Sequence, residues 1–343
     1  MSKLKKLLNT SLLISTLSIV VVLIFTVDST TIAVIMEVKH EYIIAAAALH
    51  AFSYLIWGLR TKFMCQGLGY HITTLKAAEI VTSSTLVASI TPASAGGEPV
   101  RIHLLHKNKI PIGHATAVVI GERVMDAILL LSLVPFVLFI FHDVLSNDRL
   151  DAIFMLAEAL AILAFGLMTY GMWKPLQIKR LLHFIVNRIA HMSSKNTDVA
   201  LSKILARVDS EFDNFHNSIW IFLTQGKKGL LYGIVCTILF WIVEYSILLA
   251  ILLGLDQNPS IIIVFAAQVL LSIIMAMAAT PGASGVAELG ATTLFSVFVI
   301  PSLLGITVVA WRALTFYMNI LVGSFVSAKI LKDTDQISKL LGD

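Results

Sequence analysis

Thr91-Pro92-Ala93-Ser94-Ala95-Gly96-Gly97-Glu98 and Thr280-Pro281-Gly282-Ala283-Ser284-Gly285-Val286-Ala287-Glu288 are two copies of one pattern, Thr-Pro-x-x-x-Gly with a glutamate close behind. An arginine follows each copy at the same distance. Thr91 and Arg123 are 32 residues apart, as are Thr280 and Arg312, so the copies share an offset of 189. A proline lies 13 residues beyond each glutamate, at Pro111 and Pro301. The chain has only eight arginines, which makes a chance register implausible. The pattern implies a duplicated unit, and inverted duplication is characteristic of secondary transporters.

The surroundings are those of a membrane protein. The chain is 57% hydrophobic and 13% charged, with a mean hydropathy of +0.88, whereas a soluble domain carries about 25% charged residues. The 343 residues are largely taken up by spanning segments, which leaves no length for a separate soluble catalytic domain. Cys65 and Cys236 match no disulfide framework or metal spacing. The net charge of +4 follows topology and does not point to nucleic acid. Leu7 to Val27 has a basic prelude, but it is long for a secretory core and no small-x-small site follows, so it reads as a retained first helix.

Runs long enough to cross a bilayer are 11–27, 42–59, 113–141, 151–173, 229–254 and 302–330. Residues 75–90 and 261–279 lead into the two breaks, and 286–300 leaves the second. If the first hairpin, 75–109, turns back to its side of entry, segments 1–10, 60–112, 174–228 and 329–343 are cytoplasmic and hold 3, 6, 9 and 3 Lys+Arg. The outer loops then hold only Lys39 and Arg149, in accord with the positive-inside rule. A full crossing by 75–90 would turn the nine basic residues of 174–228 outward. Charge does not separate re-entry from two crossings for the second hairpin, 261–300; symmetry favours re-entry.

The expected fold is therefore all-α and integral to the membrane, with six full transmembrane helices and two opposed re-entrant hairpins in an inverted repeat. An N-terminal helix lies within 1–30, repeat 1 spans 42–141, a connecting helix and cytoplasmic amphipathic helical hairpin span 151–228, repeat 2 spans 229–330, and 331–343 is a cytoplasmic tail.

Backbone turns at membrane depth must be buried in protein or line a wet cavity. Gly96, Gly97, Gly282 and Gly285 permit tight reversal or close approach. The half-helices that leave the breaks start near the midplane, where their free N–H groups and positive dipole ends suit an anion such as a lipid phosphate. Glu98 and Glu288 could instead meet those dipoles, leaving the turns purely structural. Arg123 and Arg312 lie ten residues into their long helices, near mid-bilayer, where a charge needs a partner. Glu98, Glu122, Asp126, Glu244 and Glu288 are the candidates. A guanidinium also binds phosphate bidentately, so each arginine can clamp a hairpin, hold a ligand, or do each in turn. Glu244 has no counterpart in the first copy and reads as an internal ion pair or a proton or cation relay. Arg101, with His103, His106, Lys107 and Lys109, forms a basic entrance or an ordinary positive loop. No metal or cofactor is expected; His103, His106 and Glu98 are a weak ligand set.

Pro92-Ala93-Ser94-Ala95-Gly96-Gly97-Glu98-Pro99-Val100-Arg101, Glu122-Arg123-Val124-Met125-Asp126 and Pro281-Gly282-Ala283-Ser284-Gly285-Val286-Ala287-Glu288 with Arg312 resemble the motifs of the flippase-like membrane family. Its best-known member is the N-terminal membrane region of bacterial lysyl-phosphatidylglycerol synthase, and it includes stand-alone archaeal proteins. The resemblance covers about residues 40–330. It departs at Ala283, where the family has a second glycine. It implies lipid translocation without fixing the lipid. Together with the paired arginines it gives the reading of a protein that moves a phosphate-bearing lipid or polyprenyl-phosphate-linked head group, with membrane lipids as partners, in the cell membrane; the charge distribution makes both termini cytoplasmic. Two other classes remain: a proton-coupled carrier of a small polar or anionic solute, and an intramembrane enzyme on lipid phosphates, for which no nucleophile–base pair is visible.

Overall fold

The computed structural model describes residues 3–26, 37–91, 94–141, 209, 213, 217, 220–224 and 226–341. The expected spanning segment 151–173 and most of the amphipathic stretch 174–228 lie outside them, as do Pro92 and Ala93. The described residues are helical, with no strand. In chain order the helices are α1 (Lys3–Thr26), α2 (His40–Gly67), α3 (Thr74–Ile90), α4 (Gly97–Lys107), α5 (Ile112–Phe141), α6 (Lys227–Gly254), α7 (Ile261–Ala276), α8 (Val286–Phe295), α9 (Pro301–Arg312) and α10 (Met318–Leu341). A π-helical turn, Ala313–Tyr317, joins α9 to α10 into one rod.

Among the described residues, four helices are long and apolar enough to cross a membrane: α2, α5, α6 and the rod Pro301–Ile330. The apolar part of α1, Leu12–Ile24, is shorter. Helices α3, α4, α7 and α8 have 17, 11, 16 and 10 residues, below the roughly 20 that a crossing takes. Helix α10 continues to Leu341, into the expected tail segment 331–343.

The duplication is visible in the helices themselves. Shifting Ile112–Phe141 by 189 residues lands on Pro301–Ile330 at both ends. The copies interlock. Their first helices, α2 and α6, share the most extensive contact in the molecule, while α3 packs on α10 and α7 packs on α5, each on the opposite copy. Small residues allow this closeness, as in other membrane helix pairs. A Cβ added at Gly229 would lie 2.6 Å from the Phe63 carbonyl oxygen, and one at Gly323 would lie 3.0 Å from Leu86 Cβ. The buried hydroxyls of α3 turn back on its own backbone, Ser84 to Val81 O at 2.6 Å and Thr85 to Thr82 O at 2.7 Å. That satisfies them in an apolar setting.

The two breaks meet. The Gly282 N–H donates to the Thr91 carbonyl across 3.2 Å. Gly282 has φ +58°, and a Cβ there would collide with the Ser89 carbonyl oxygen and lie 2.5 Å from Phe316 Cε2. Gly282→Ala therefore combines left-handed strain with overpacking and is expected to cost about 3 kcal/mol. Gly69 has φ +83° but nothing within 4 Å of an added Cβ, so Gly69→Ala is expected to cost only about 1 kcal/mol. Thermal unfolding of both variants in detergent checks the difference.

Candidate functional site

In the second copy, Arg312 ends α9 immediately before the π-helical turn. Its Nε donates to Glu288 Oε1 at 2.8 Å, and its guanidinium stacks 4.0 Å from the Phe316 ring centre. Nη2 reaches Ser284 Oγ at 3.5 Å. Glu288 also accepts from Ser15 Oγ and from the Gly285 N–H, each at 2.6 Å. Ser15 in turn accepts from the Tyr317 hydroxyl at 3.1 Å. Helix α1 thus seals this pair, a role that nothing in the repeat pattern announced. Glu288 is fully buried and the Arg312 side chain is 2% exposed.

In the first copy, Arg123 binds Glu98 Oε1 through Nε at 2.7 Å and through Nη2 at 2.6 Å. The chemistry matches that of the second copy, but the setting does not. The Arg123 side chain is 41% exposed, so the two arginines differ in exposure although their sequence register is the same. Behind Arg123 lies a buried charge cluster. Arg60 binds Asp126 Oδ1 at 2.7 Å and lies 3.5 Å from Glu122 Oε2. Arg101 binds the same Glu122. Glu122 also accepts from Thr61 at 2.7 Å and Trp57 Nε1 at 3.0 Å, and Asp126 accepts from Trp241 Nε1 at 3.0 Å.

Two expectations change here. Arg101 does not line a basic entrance: it and Arg60 are each 1% exposed. Both are neutralised inside the protein and carry no topological information, so segment 60–112 keeps Lys62, Lys76, Lys107 and Lys109 for that purpose. Arg60 was invisible as a site residue because it sits near the end of an apolar run. The carboxylates four apart at Glu122 and Asp126 were the available clue, since a doubly acidic helix face needs cationic partners.

The four glycines serve geometry. Gly96 has an ordinary φ of −78°, and it is required by closeness, because a Cβ would lie 2.7 Å from Thr91 Cγ2. The left-handed residues are Ser94 in the first break and Gly282, Ala283 and Gly285 in the second. Their N–H groups face inward partners: Gly96 to Thr91 Oγ1 at 2.9 Å, Gly97 to Ser94 O at 3.2 Å, Gly282 to Thr91 O, and Gly285 to Glu288. These four N–H groups are therefore satisfied internally.

Arg123 and Arg312 line one cavity of about 300 Å³, together with Trp57, Glu244, Gln268 and Asn319. Glu244 pairs with His50 Nδ1 at 3.1 Å. Trp241 and Tyr245 separate this cavity from an apolar groove of about 380 Å³ between α5, α6 and α7. Leu129 and Ile238 join that groove to a second, of about 400 Å³, between α5 and α6. Among the described residues, no three His, Cys, Asp or Glu side chains gather as a metal site. His106 bonds the Ile110 carbonyl at 3.0 Å, and His103 is exposed.

Removing one partner of a buried pair strands the other charge. Glu122→Gln leaves Arg60 and Arg101 undercompensated and is expected to cost about 3–5 kcal/mol. Glu98→Gln acts on a partly exposed pair and is expected to cost no more than about 1 kcal/mol. Unfolding in a denaturing detergent titration ranks the two.

The family model for the lysylphosphatidylglycerol synthase TM region matches residues 10–323. A UPF0104 membrane protein of Archaeoglobus fulgidus is 27% identical over 316 residues, covering 90% of this chain and 94% of that protein. Another from Methanocaldococcus jannaschii is 26% identical over 327 residues, covering 94% of both. A third, from Pyrococcus horikoshii, is 22% identical and covers 87% of this chain and 90% of its own. No solved structure matches the chain. A polytopic helical bundle with this repeat, matched over nearly its whole length, is a multi-pass membrane protein that belongs to the family of the lysylphosphatidylglycerol synthase transmembrane region.

Proposed function

We propose that the protein moves a phosphate-bearing lipid head group, or one linked through a polyprenyl phosphate, between leaflets by alternating access. In this reading the α3–α4 and α7–α8 pairs are opposed re-entrant hairpins, and the protein sits in the cell membrane with both termini cytoplasmic. Helix lengths and the contact between the two breaks support re-entry. The remaining lysines and arginines support the orientation. The observation that carries the function is the shared cavity: both repeat arginines line it, and apolar grooves run from its wall. A head group held by guanidinium groups, with acyl chains in the grooves, uses each surface for the chemistry it offers.

The unequal exposure of Arg123 and Arg312 supports alternation. In an inverted repeat, exchanging the conformations of the two halves exchanges which arginine is open. The family's name supplies one substrate class, phosphatidylglycerol derivatives. A carrier of small solutes has no use for grooves that are this long and apolar, which sets that reading second.

Arg123 gives the cleaner test, because its partner Glu98 is less deeply buried than Glu288, the partner of Arg312. Arg123→Gln is expected to lower translocation of acyl-labelled phosphatidylglycerol in liposomes by about ten- to a hundredfold, the loss of one charged hydrogen-bonding contact. Its thermal unfolding is expected to stay near that of the parent. Unchanged translocation in this variant would remove the arginine, and with it the proposed site.

A further inference from the structure

Glu244 faces the cavity, and behind it the side chains form a directed chain. His50 is 2% exposed on α2. Its Nδ1 lies 3.1 Å from Glu244 Oε1, and its Nε2 lies 3.1 Å from the Tyr54 hydroxyl. The Tyr54 hydroxyl lies 2.5 Å from Asn319 Oδ1, and Asn319 Nδ2 donates to the Thr315 carbonyl. These contacts fix the directions. A carbonyl only accepts, so Asn319 must present Nδ2 to it and Oδ1 to Tyr54. Tyr54 therefore donates its single O–H to Asn319 and accepts from His50. His50 must then carry a proton on Nε2, which leaves Nδ1 and Glu244 to share whatever lies between them.

Only one proton fits there. With it, the pair is neutral, either as carboxylic acid and imidazole or as carboxylate and imidazolium. Without it, a carboxylate oxygen and a ring lone pair face each other at hydrogen-bond distance. The other ionisable groups around the pair set what happens next. From α6, Tyr245 bonds Ser272 at 3.1 Å; from α2 there is Tyr54; across the cavity stand Arg123 and Arg312, each already matched by Glu98 or Glu288. The cavity is therefore balanced when the pair holds its proton and carries one excess negative charge when it does not.

We infer that Glu244 and His50 form a one-proton binding site whose occupancy is coupled to an anionic phosphate in the adjoining cavity. The coupling has a definite sign. An incoming phosphate is repelled by the excess carboxylate and tolerated by the neutral pair, so proton and phosphate bind together. On release, the proton leaves the carboxyl oxygen for cavity water, and the electron pair stays on Glu244. The proton site stands on the hydrogen-bond directions alone; its coupling role rests on the translocation reading above.

Two measurements on the full chain test this. Infrared titration of the purified protein is expected to show a deuterium-sensitive carboxyl band that Glu244→Gln removes and Tyr54→Phe shifts. In liposomes holding a trapped pH indicator, a pH gradient is expected to drive acyl-labelled phosphatidylglycerol toward one leaflet, by up to about tenfold per pH unit for one proton per head group. In Glu244→Gln the distribution between leaflets is expected no longer to follow the gradient, whatever rate of movement the variant retains. A variant that keeps the response, or an infrared titration that Glu244→Gln leaves unchanged, overturns the inference. A parent protein that titrates at Glu244 yet moves no probe sinks the translocation reading and leaves the proton site standing.

Discussion

An unpaired guanidinium in an apolar interior costs several kcal/mol, and this chain buries Arg60, Arg101 and Arg312 at 1% exposure each. Much of the architecture follows from where their carboxylates must be. Glu288 holds Arg312, and to do so it brings the first turn of α8 against the end of α9. Its remaining acceptor capacity draws in Ser15 of α1 and the Gly285 N–H. Glu122 and Asp126 do the same for Arg60 and Arg101, tying α2, α4 and α5 into one block. A broken helix has no continuous backbone ladder to hold it at depth, so these ion pairs supply the fixation that the breaks remove.

The copies have diverged in how they meet that constraint. The second uses one sealed pair. The first uses three arginines and three carboxylates with Trp57 among them, its ring centre 5.6, 5.0 and 6.0 Å from the guanidinium carbons of Arg60, Arg101 and Arg123. Placing the cations over an indole face adds stabilisation where water is scarce. Arg60 and Arg101 are enclosed, while the half-exposed Arg123 meets Glu98 at 2.6 Å and lies 3.9 Å from Asp126.

What could be read from sequence was what repeats. The shared offset of 189 residues located both breaks and both arginines, and the glutamates follow at an offset of 190, because a spacing is preserved whatever the surroundings. Pairings between helices were legible only in part, since nothing in the local pattern says that His50 meets Glu244 or that Ser15 meets Glu288. The glycine roles were half legible: Gly282 and Gly285 do adopt positive φ, but Gly96 does not, and Ser94 and Ala283 do. Ala283 shows that the left-handed turn tolerates a methyl group where the family motif has glycine. The π-helical turn after Arg312 left no mark either, as Ala313–Tyr317 reads as ordinary apolar helix.

The interlocking of the copies gives the cavity its mechanical consequence. Helix α3 rests on α10 and α7 rests on α5, so neither broken pair can shift without pressing on the long helix that carries, or continues from, the other copy's arginine. The Gly282–Thr91 hydrogen bond joins the breaks at their tips, so both sides feel the same displacement. Close packing makes such contacts bistable rather than elastic. Under the translocation reading, a state with both arginines equally open would break the tip contact without forming a replacement. Opening Arg312 while closing Arg123 would exchange it for the repeat-related contact. On that reading the duplication couples the exposures of the two arginines.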